Sequence, residues 1–237
     1  MMIEQLKQWV LDAKRIVFFG GAGVSTESGI PDFRGVDGLY RQKYAYPPEE
    51  ILSHGFFMRH PEEFYRFYRD KMLITGAKPN AAHLTLARWE REGKLTAVVT
   101  QNIDGLHSAA GSKRVYELHG SVLRNHCMRC GRFYGVEAIQ NSTGVPKCEC
   151  GGTIKPDVVL YGESLDSDCI TGALNAIASA DLLIIGGTSL SVYPAAGLID
   201  DFRGDHLVLV NKSATPQDAR ADLIIREPIG DVFAQLP

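Results

Sequence analysis

The sequence predicts an α/β fold: a doubly wound parallel sheet with a small cysteine-bearing insertion. Three observations predict it. Short apolar runs alternate with helical patterns, a glycine-rich turn directly follows the first run, and four of the five cysteines fall in one short stretch. A length of 237 residues suits one large domain with a modest insertion.

The opening MMIEQLKQWVLDAKR spaces its apolar residues at helical intervals among charges and reads as an amphipathic helix. Apolar runs at 16–19, 95–100, 182–185 and 207–210, rich in β-branched residues, read as strands buried on both faces, and 223–225 extends the same sheet. Between them, 81–92 carries Leu84, Leu86 and Trp89 at offset positions behind Asn80, a suitable cap. The Rossmann-like parts therefore span about 1–120 and 157–237. Two stretches interrupt the alternation. Residues 24–60 hold Gly, Pro and Ser punctuation with little periodicity, as a functional loop region does. Residues 121–156 hold the cysteines and a turn-rich segment at 141–146, and read as an insertion.

Composition excludes several classes. With 45% hydrophobic residues, 22% charged residues and a formal net charge of −3, the chain resembles neither a disordered tail nor a broadly basic nucleic-acid binder. No continuous apolar stretch is long enough for a secretory core or a membrane span. The clustered cysteines fit a metal site better than a disulfide framework, so a reducing, cytoplasmic location is expected.

Cys127 and Cys130 are separated by two residues and Cys148 and Cys150 by one, with 17 residues between the pairs. Two close pairs of thiolates are what tetrahedral zinc requires. The alternatives are two disulfides or free core thiols. Four protein ligands leave no exchangeable position, so the expected Zn2+ is structural, and Cys169 stands apart as an unliganded residue.

Residues 17–25, Val-Phe-Phe-Gly-Gly-Ala-Gly-Val-Ser, run from an apolar strand into glycines, where backbone N–H groups can approach a pyrophosphate. The dehydrogenase fingerprint fails, because Thr26 occupies the third glycine position and no clear strand-end acid follows at the usual distance. The continuation Gly21-Ala22-Gly23-Val24-Ser25-Thr26-Glu27-Ser28-Gly29-Ile30-Pro31-Asp32-Phe33-Arg34-Gly35 closely resembles the sirtuin signature. Pro79-Asn80-Ala81-Ala82-His83, the run from Thr100 to His107, Glu117-Leu118-His119-Gly120, the run from Lys155 to Glu163, Gly186-Gly187-Thr188-Ser189-Leu190 and Val210-Asn211-Lys212 agree in type and order. The likeness covers the chain from about residue 4 onward and is closest to bacterial single-domain members.

That resemblance implies an NAD-dependent protein-lysine deacetylase, which releases nicotinamide and passes the acyl group to ADP-ribose. His119 would be the general base, imidazole being poised near neutral pH. Asn102 and Asp104 would serve catalysis, Asp104 holding the nicotinamide carboxamide together with Ile103. Around the co-substrate, Ala22, Gly23 and Thr26 would lie at the pyrophosphate, Phe33 and Arg34 at the ring, ribose or phosphate, and Gln101 at ribose. Thr188, Ser189 and Asn211 would lie near the adenosine half, with Ile229 lining the adenine. The partner would be an acyl-lysine protein, its backbone pairing beside Val159, Tyr161 and Gly162. Read locally, 158–161 is an ordinary edge strand, and His83, His54, His60 and His107 are structural or surface residues.

Two other readings stand beside this one: a mono-ADP-ribosyltransferase, which His119 argues against, and a non-enzymatic zinc-ribbon module binding nucleic acid. The ribbon's Arg124, Arg129, Arg132 and Lys147 lack an aromatic stacking series, so neither nucleic-acid binding nor membrane association is expected. Members that prefer succinyl- or malonyl-lysine carry a Tyr-x-x-Arg pair. The corresponding stretch, 64–73, has only Tyr68-x-x-Lys71, so acetyl should be preferred over succinyl.

Overall fold

The computed structural model describes residues 2–33, 38, 44–74 and 76–237. Its main sheet has six parallel strands: β1 (Ile16–Gly20), β2 (Leu95–Thr100), β3 (Val115–Glu117), and later in the chain β7 (Leu182–Gly186), β8 (His206–Val210) and β9 (Leu223–Ile225). Their order is β3-β2-β1-β7-β8-β9. The chain thus winds outward from β1 in one direction, then returns beside β1 and winds outward in the other, which defines the doubly wound Rossmann-like topology. The five expected runs are all strands. The edge strand β3 escaped the sequence reading, because Val115-Tyr116-Glu117 is only three residues long and half-buried throughout.

Alternation across the sheet explains why the strands read as unbroken apolar runs. Ile16 and Phe18 enter one core with Leu6, Val10, Leu86 and Trp89, whereas Val17 and Phe19 enter a second core with Ala173, Ile177 and Ile199 on the opposite face. The first core is closed by helices Met2–Asp12, Ala81–Arg91 and Ile229–Phe233, the second by helix Ser167–Ser179 and the 3-10 segment Ala195–Asp201. Asn80 caps helix Ala81–Arg91 as expected, its side chain accepting from Ala82 N. Leu84 is a correction: it is 52% exposed, and Leu86 and Trp89 alone of the three anchor the helix.

A smaller lobe joins two distant pieces of sequence. One is the antiparallel sheet β5-β4-β6, with β4 (Asn125–Cys127), β5 (Phe133–Tyr134) and β6 (Ile154–Pro156). The other is a run of short helices, Pro48–Ile51, His54–Arg59 and Pro61–Phe67, ending in the π turn Tyr68–Met72. Phe56, Phe57, Phe64, Tyr65 and Tyr68 pack with Ile139, Ile154 and Cys148 in a third core. The stretch 24–60, which shows little periodicity in sequence, therefore holds helices that are too short to display any. Residues 158–161 are also not an edge strand; within them Tyr161 alone pairs, in a single bridge to Ser53.

Candidate active site

The site opens at the carboxyl ends of β1 and β7, where the strand order reverses and open α/β sheets bind ligands. Two strand-end turns meet there backbone to backbone. Gly21 N donates to Gly186 O at 3.2 Å and Gly23 N to Gly187 O at 2.8 Å. A Cβ on Gly21 would stand 2.7 Å from the Thr188 Cβ, and one on Gly23 2.8 Å from the Gly187 Cα. These glycines therefore let two turns interlock, a demand separate from ligand approach. Asn80 braces the same turn by donating to Val24 O and Ser28 Oγ.

A cleft of about 560 Å³ lies beside this junction. Of the residues singled out in the sequence, Ala22, Gly23, Thr26, Phe33, Gln101, Asn102, Ile103, His119, Val159, Tyr161, Gly162, Thr188, Ser189, Asn211 and Ile229 line it. Arg34 lies outside the described residues. Asp104 does not line the cleft: its carboxylate accepts from Ser25 Oγ at 2.7 Å and from Leu106 N at 2.9 Å.

The loop after β2 is fixed by its own polar groups. Gln101 N donates to Gly20 O, and Gln101 Nε2 reaches Thr188 Oγ1 at 3.1 Å, linking the loops after β1, β2 and β7. Asn102 Nδ2 donates to Ser25 Oγ at 3.1 Å. Ser25, 1% exposed, thus joins Asn102 to Asp104. The sequence reading passed over Ser25, although it sits inside the glycine-rich signature.

His119 follows β3. Its Nδ1 lies 3.0 Å from Gln101 O, a carbonyl that can only accept, so Nδ1 carries the proton and Nε2 keeps a lone pair. Burial lowers the His119 pKa from its ordinary value, and the bond to Gln101 opposes this only in part, so the ring is neutral near pH 7.

His83 and His107 are structural, as the sequence suggests. The rings lie 4.6 Å apart, and His83 completes the cap of helix Ala81–Arg91 by accepting from Asn80 N. Burial, partly offset by Asp104, lowers His83 to about 4, and burial takes His107 well below its ordinary value.

The cysteines converge outside the cleft. All four Sγ atoms lie within 4.8 Å of one another, with Cys127 to Cys150 at 3.4 Å and Cys130 to Cys148 at 3.6 Å. Those distances exclude disulfides and bracket the spacing of about 3.8 Å that four Zn–S bonds impose. Arg129 N and Cys130 N point at Cys127 Sγ, and Tyr134 Oη donates to Cys148 Sγ at 3.0 Å, groups that stabilise thiolate charge. A Cβ on Gly152 would come 2.6 Å from Cys127 Sγ, so only glycine leaves room for that ligand. The cluster fits a structural zinc, while Cys169 remains a separate free thiol.

Among the wall residues that the sequence analysis does not single out, two carry the apolar end. Leu52 and Met72 line the cleft from the short helices, beside Phe33, Ile103, Val158 and Leu160, giving it an apolar end continuous with the small-lobe core. Nothing local marks either residue.

The Sir2 family model matches residues 21–194. The chain is 59% identical over 235 residues to an NAD-dependent protein deacetylase of Clostridium acetobutylicum, covering 98% of this chain and 96% of that protein. It is 58% identical to one of Clostridium perfringens, covering 99% and 98%. This chain is a member of the Sir2 family. Among solved structures, a Sir2 with p53 peptide and NAD+ superposes with a TM-score of 0.88 at 41% identity, covering 98% of this chain and 96% of that one. A Sir2 bound to a propionylated peptide gives 0.88 at 40%, with the same coverage. Among the described residues of this Sir2 chain, no helix is long and apolar enough to cross a membrane.

Proposed function

We propose that this Sir2-family chain is an NAD-dependent protein-lysine deacetylase in which His119 is the general base. The observation that carries the assignment is the tautomer: Nδ1 is committed to Gln101 O, so Nε2 is the proton acceptor of a neutral ring that lines the cleft.

NAD is the co-substrate, and the acyl group ends on ADP-ribose. Gly21, Ala22, Gly23 and Thr26 take the pyrophosphate, Thr188, Ser189 and Asn211 the adenosine side, and Ile229 closes against the adenine. Gln101, Asn102 and Ile103 face the nicotinamide side. Asp104 acts there through the Ser25 bridge and the shape of its own loop, and so positions Asn102. Arg34 is assigned to the same end on its sequence motif. The acyl-lysine enters beside Val159, Tyr161 and Gly162 and lays its apolar chain against Phe33, Leu52, Met72 and Ile103. The four thiolates hold Zn2+ away from the chemistry and supply fold stability.

The deciding experiment is incubation with an acetylated peptide and NAD, followed by mass spectrometry. O-acetyl-ADP-ribose with free lysine is the expected product. ADP-ribosylated protein without deacetylated peptide would replace this reading with ADP-ribosyltransfer.

A further inference from the structure

Beside His119, whose carbonyl accepts from Val159 N at 3.0 Å, the cleft is walled by residues 158–163, which have little regular secondary structure to hold them. Besides backbone bonds, one carboxylate ties them to three partners. Glu163 Oε2 accepts from Leu160 N at 2.9 Å and from Lys155 Nζ at 3.1 Å, while Oε1 meets His54 Nδ1 at 2.9 Å. Glu163 N in turn donates to Leu160 O at 2.9 Å, so backbone and side chain together close the turn that carries Gly162 at φ 89°. The partners come from three places: Leu160 from the turn itself, Lys155 from β6 of the cysteine module, and His54 from the first residue of helix His54–Arg59. The same helix start brackets the neighbouring residue, since Tyr161 N donates to Leu52 O and His54 N to Tyr161 O, both at 2.9 Å.

The surroundings make this clamp stronger than a surface ion pair. The Glu163 and Lys155 side chains are only 21% and 19% exposed. Burial alone would raise the Glu163 pKa, yet the Leu160 N–H, His54 and Lys155 together leave it below the ordinary carboxylate value. Lys155 Nζ also donates to Pro156 O and Val158 O, so the cation grips the turn at both ends.

We infer that Glu163 is a positioning residue for the acyl-lysine peptide: it pre-forms the peptide-facing turn 159–162 and locks it to both pieces of the small lobe. The inference rests on the proposed deacetylase reading. A turn ordered before the peptide arrives spares binding the entropy of ordering it, and this acts on the peptide alone. The NAD-facing groups at 22–26, 101–103 and 188–189 are not among the partners of the Glu163 carboxylate, and the bond from Val159 N to His119 O runs between backbone atoms.

The test compares wild type, Glu163→Gln, Glu163→Ala and Lys155→Met, each checked for bound zinc and thermal midpoint. KM for acetyl-lysine peptide and for NAD is measured alongside kcat, and peptide affinity is measured separately by calorimetry. Glu163→Ala should raise the peptide KM and Kd about tenfold, with kcat and the NAD KM within about twofold. Glu163→Gln, which keeps one acceptor but loses the ionic grip, should fall between, and Lys155→Met should resemble it. An unchanged peptide KM in folded, zinc-loaded Glu163→Ala overturns the inference. So does an equal loss in kcat and both KM values, which marks a merely structural role. If wild type binds the peptide but forms no O-acetyl-ADP-ribose, the deacetylase reading has failed, and the calorimetric series still decides the clamp.

Discussion

The two halves of this molecule reach stability by different routes. In the sheet half, each central strand sends alternate apolar side chains into two cores, one on each face, and its parallel ladder is built from strands of five or six residues. In the small lobe, the strands have two or three residues, the helices four to seven, and the core closes between segments far apart in the chain. Tyr65 donates to Ile154 O across 89 positions, and Arg69 to Ile139 O across 70. Elements so short carry little stability alone, so this lobe depends on an aromatic core and four thiolates. The cleft runs along the seam: the sheet supplies the turns proposed to face NAD, and the small lobe supplies Leu52 and Met72 to the wall proposed to face the acyl-lysine.

Metal removal separates the halves most sharply. A strong chelator, or Cys148→Ala, should release about one equivalent of zinc, at a cost on the order of 10 kcal/mol of metal-linked folding energy. Elemental analysis and hydrogen exchange should show protection lost in 125–156 and in the helices of 48–72 while β1, β2 and β7 stay protected. Uniform loss across the sheet would show that the halves fold as one unit.

His119→Ala should lower kcat by about 10²- to 10⁴-fold while NAD affinity and thermal midpoint change little, because the base acts in the transition state. For wild type, kcat/KM should fall on the acid side with an apparent pKa below 6.5, in the direction burial moves His119. Near-normal turnover by the zinc-loaded variant would remove His119 from the mechanism.

Acid should weaken the sheet half through His83 and His107. Their folded pKa values are depressed, so the folded state binds fewer protons than the unfolded chain. The associated stability is present above pH 6.5 and is lost as pH falls towards about 4. His83 alone accounts for roughly 2 kcal/mol by pH 5. Denaturant titrations between pH 7 and 4.5 should show this slope, and His83→Gln should flatten it. A slope unchanged in that variant would assign the acid sensitivity elsewhere.

The smallest effect concerns the acyl group. Lys71 does not line the cleft; its Nζ pairs with Asp70 at 3.0 Å and lies 5.9 Å from the Tyr44 ring centroid, while Met72 of the same turn does line it. Among the described residues that line the cleft there is no planar cation to receive an acidic acyl group, and the wall beside Met72 is apolar. Acetyl-lysine should therefore show a kcat/KM about tenfold or more above succinyl-lysine on the same peptide. A succinyl preference would mean that a cation reaches the cleft after all.

How much of this was legible follows the same division. Apolar runs and glycine punctuation are local signals, so five strands, the Asn80 cap and the first turn of the site could be read from neighbouring residues. The cysteine spacing was legible because a metal ligand set is written as residue type and interval. The assignments of His119 and of the residues proposed around NAD rest on motif likeness; of these, Asp104 accepts from Ser25 Oγ and is not among the residues that line the cleft.

The sequence by itself determined the parallel sheet and the thiolate cluster, since each depends on side-chain chemistry written at short, regular intervals. Tertiary structure alone decided the rest: that helices from 48–72 and strands from 125–156 share one core, that Leu52 and Met72 wall the cleft, and that Glu163 is tied to both pieces. Those relations join residues far apart in sequence through packing and ion pairs. No local pattern encodes which distant partner a buried aromatic ring or a half-buried carboxylate will meet.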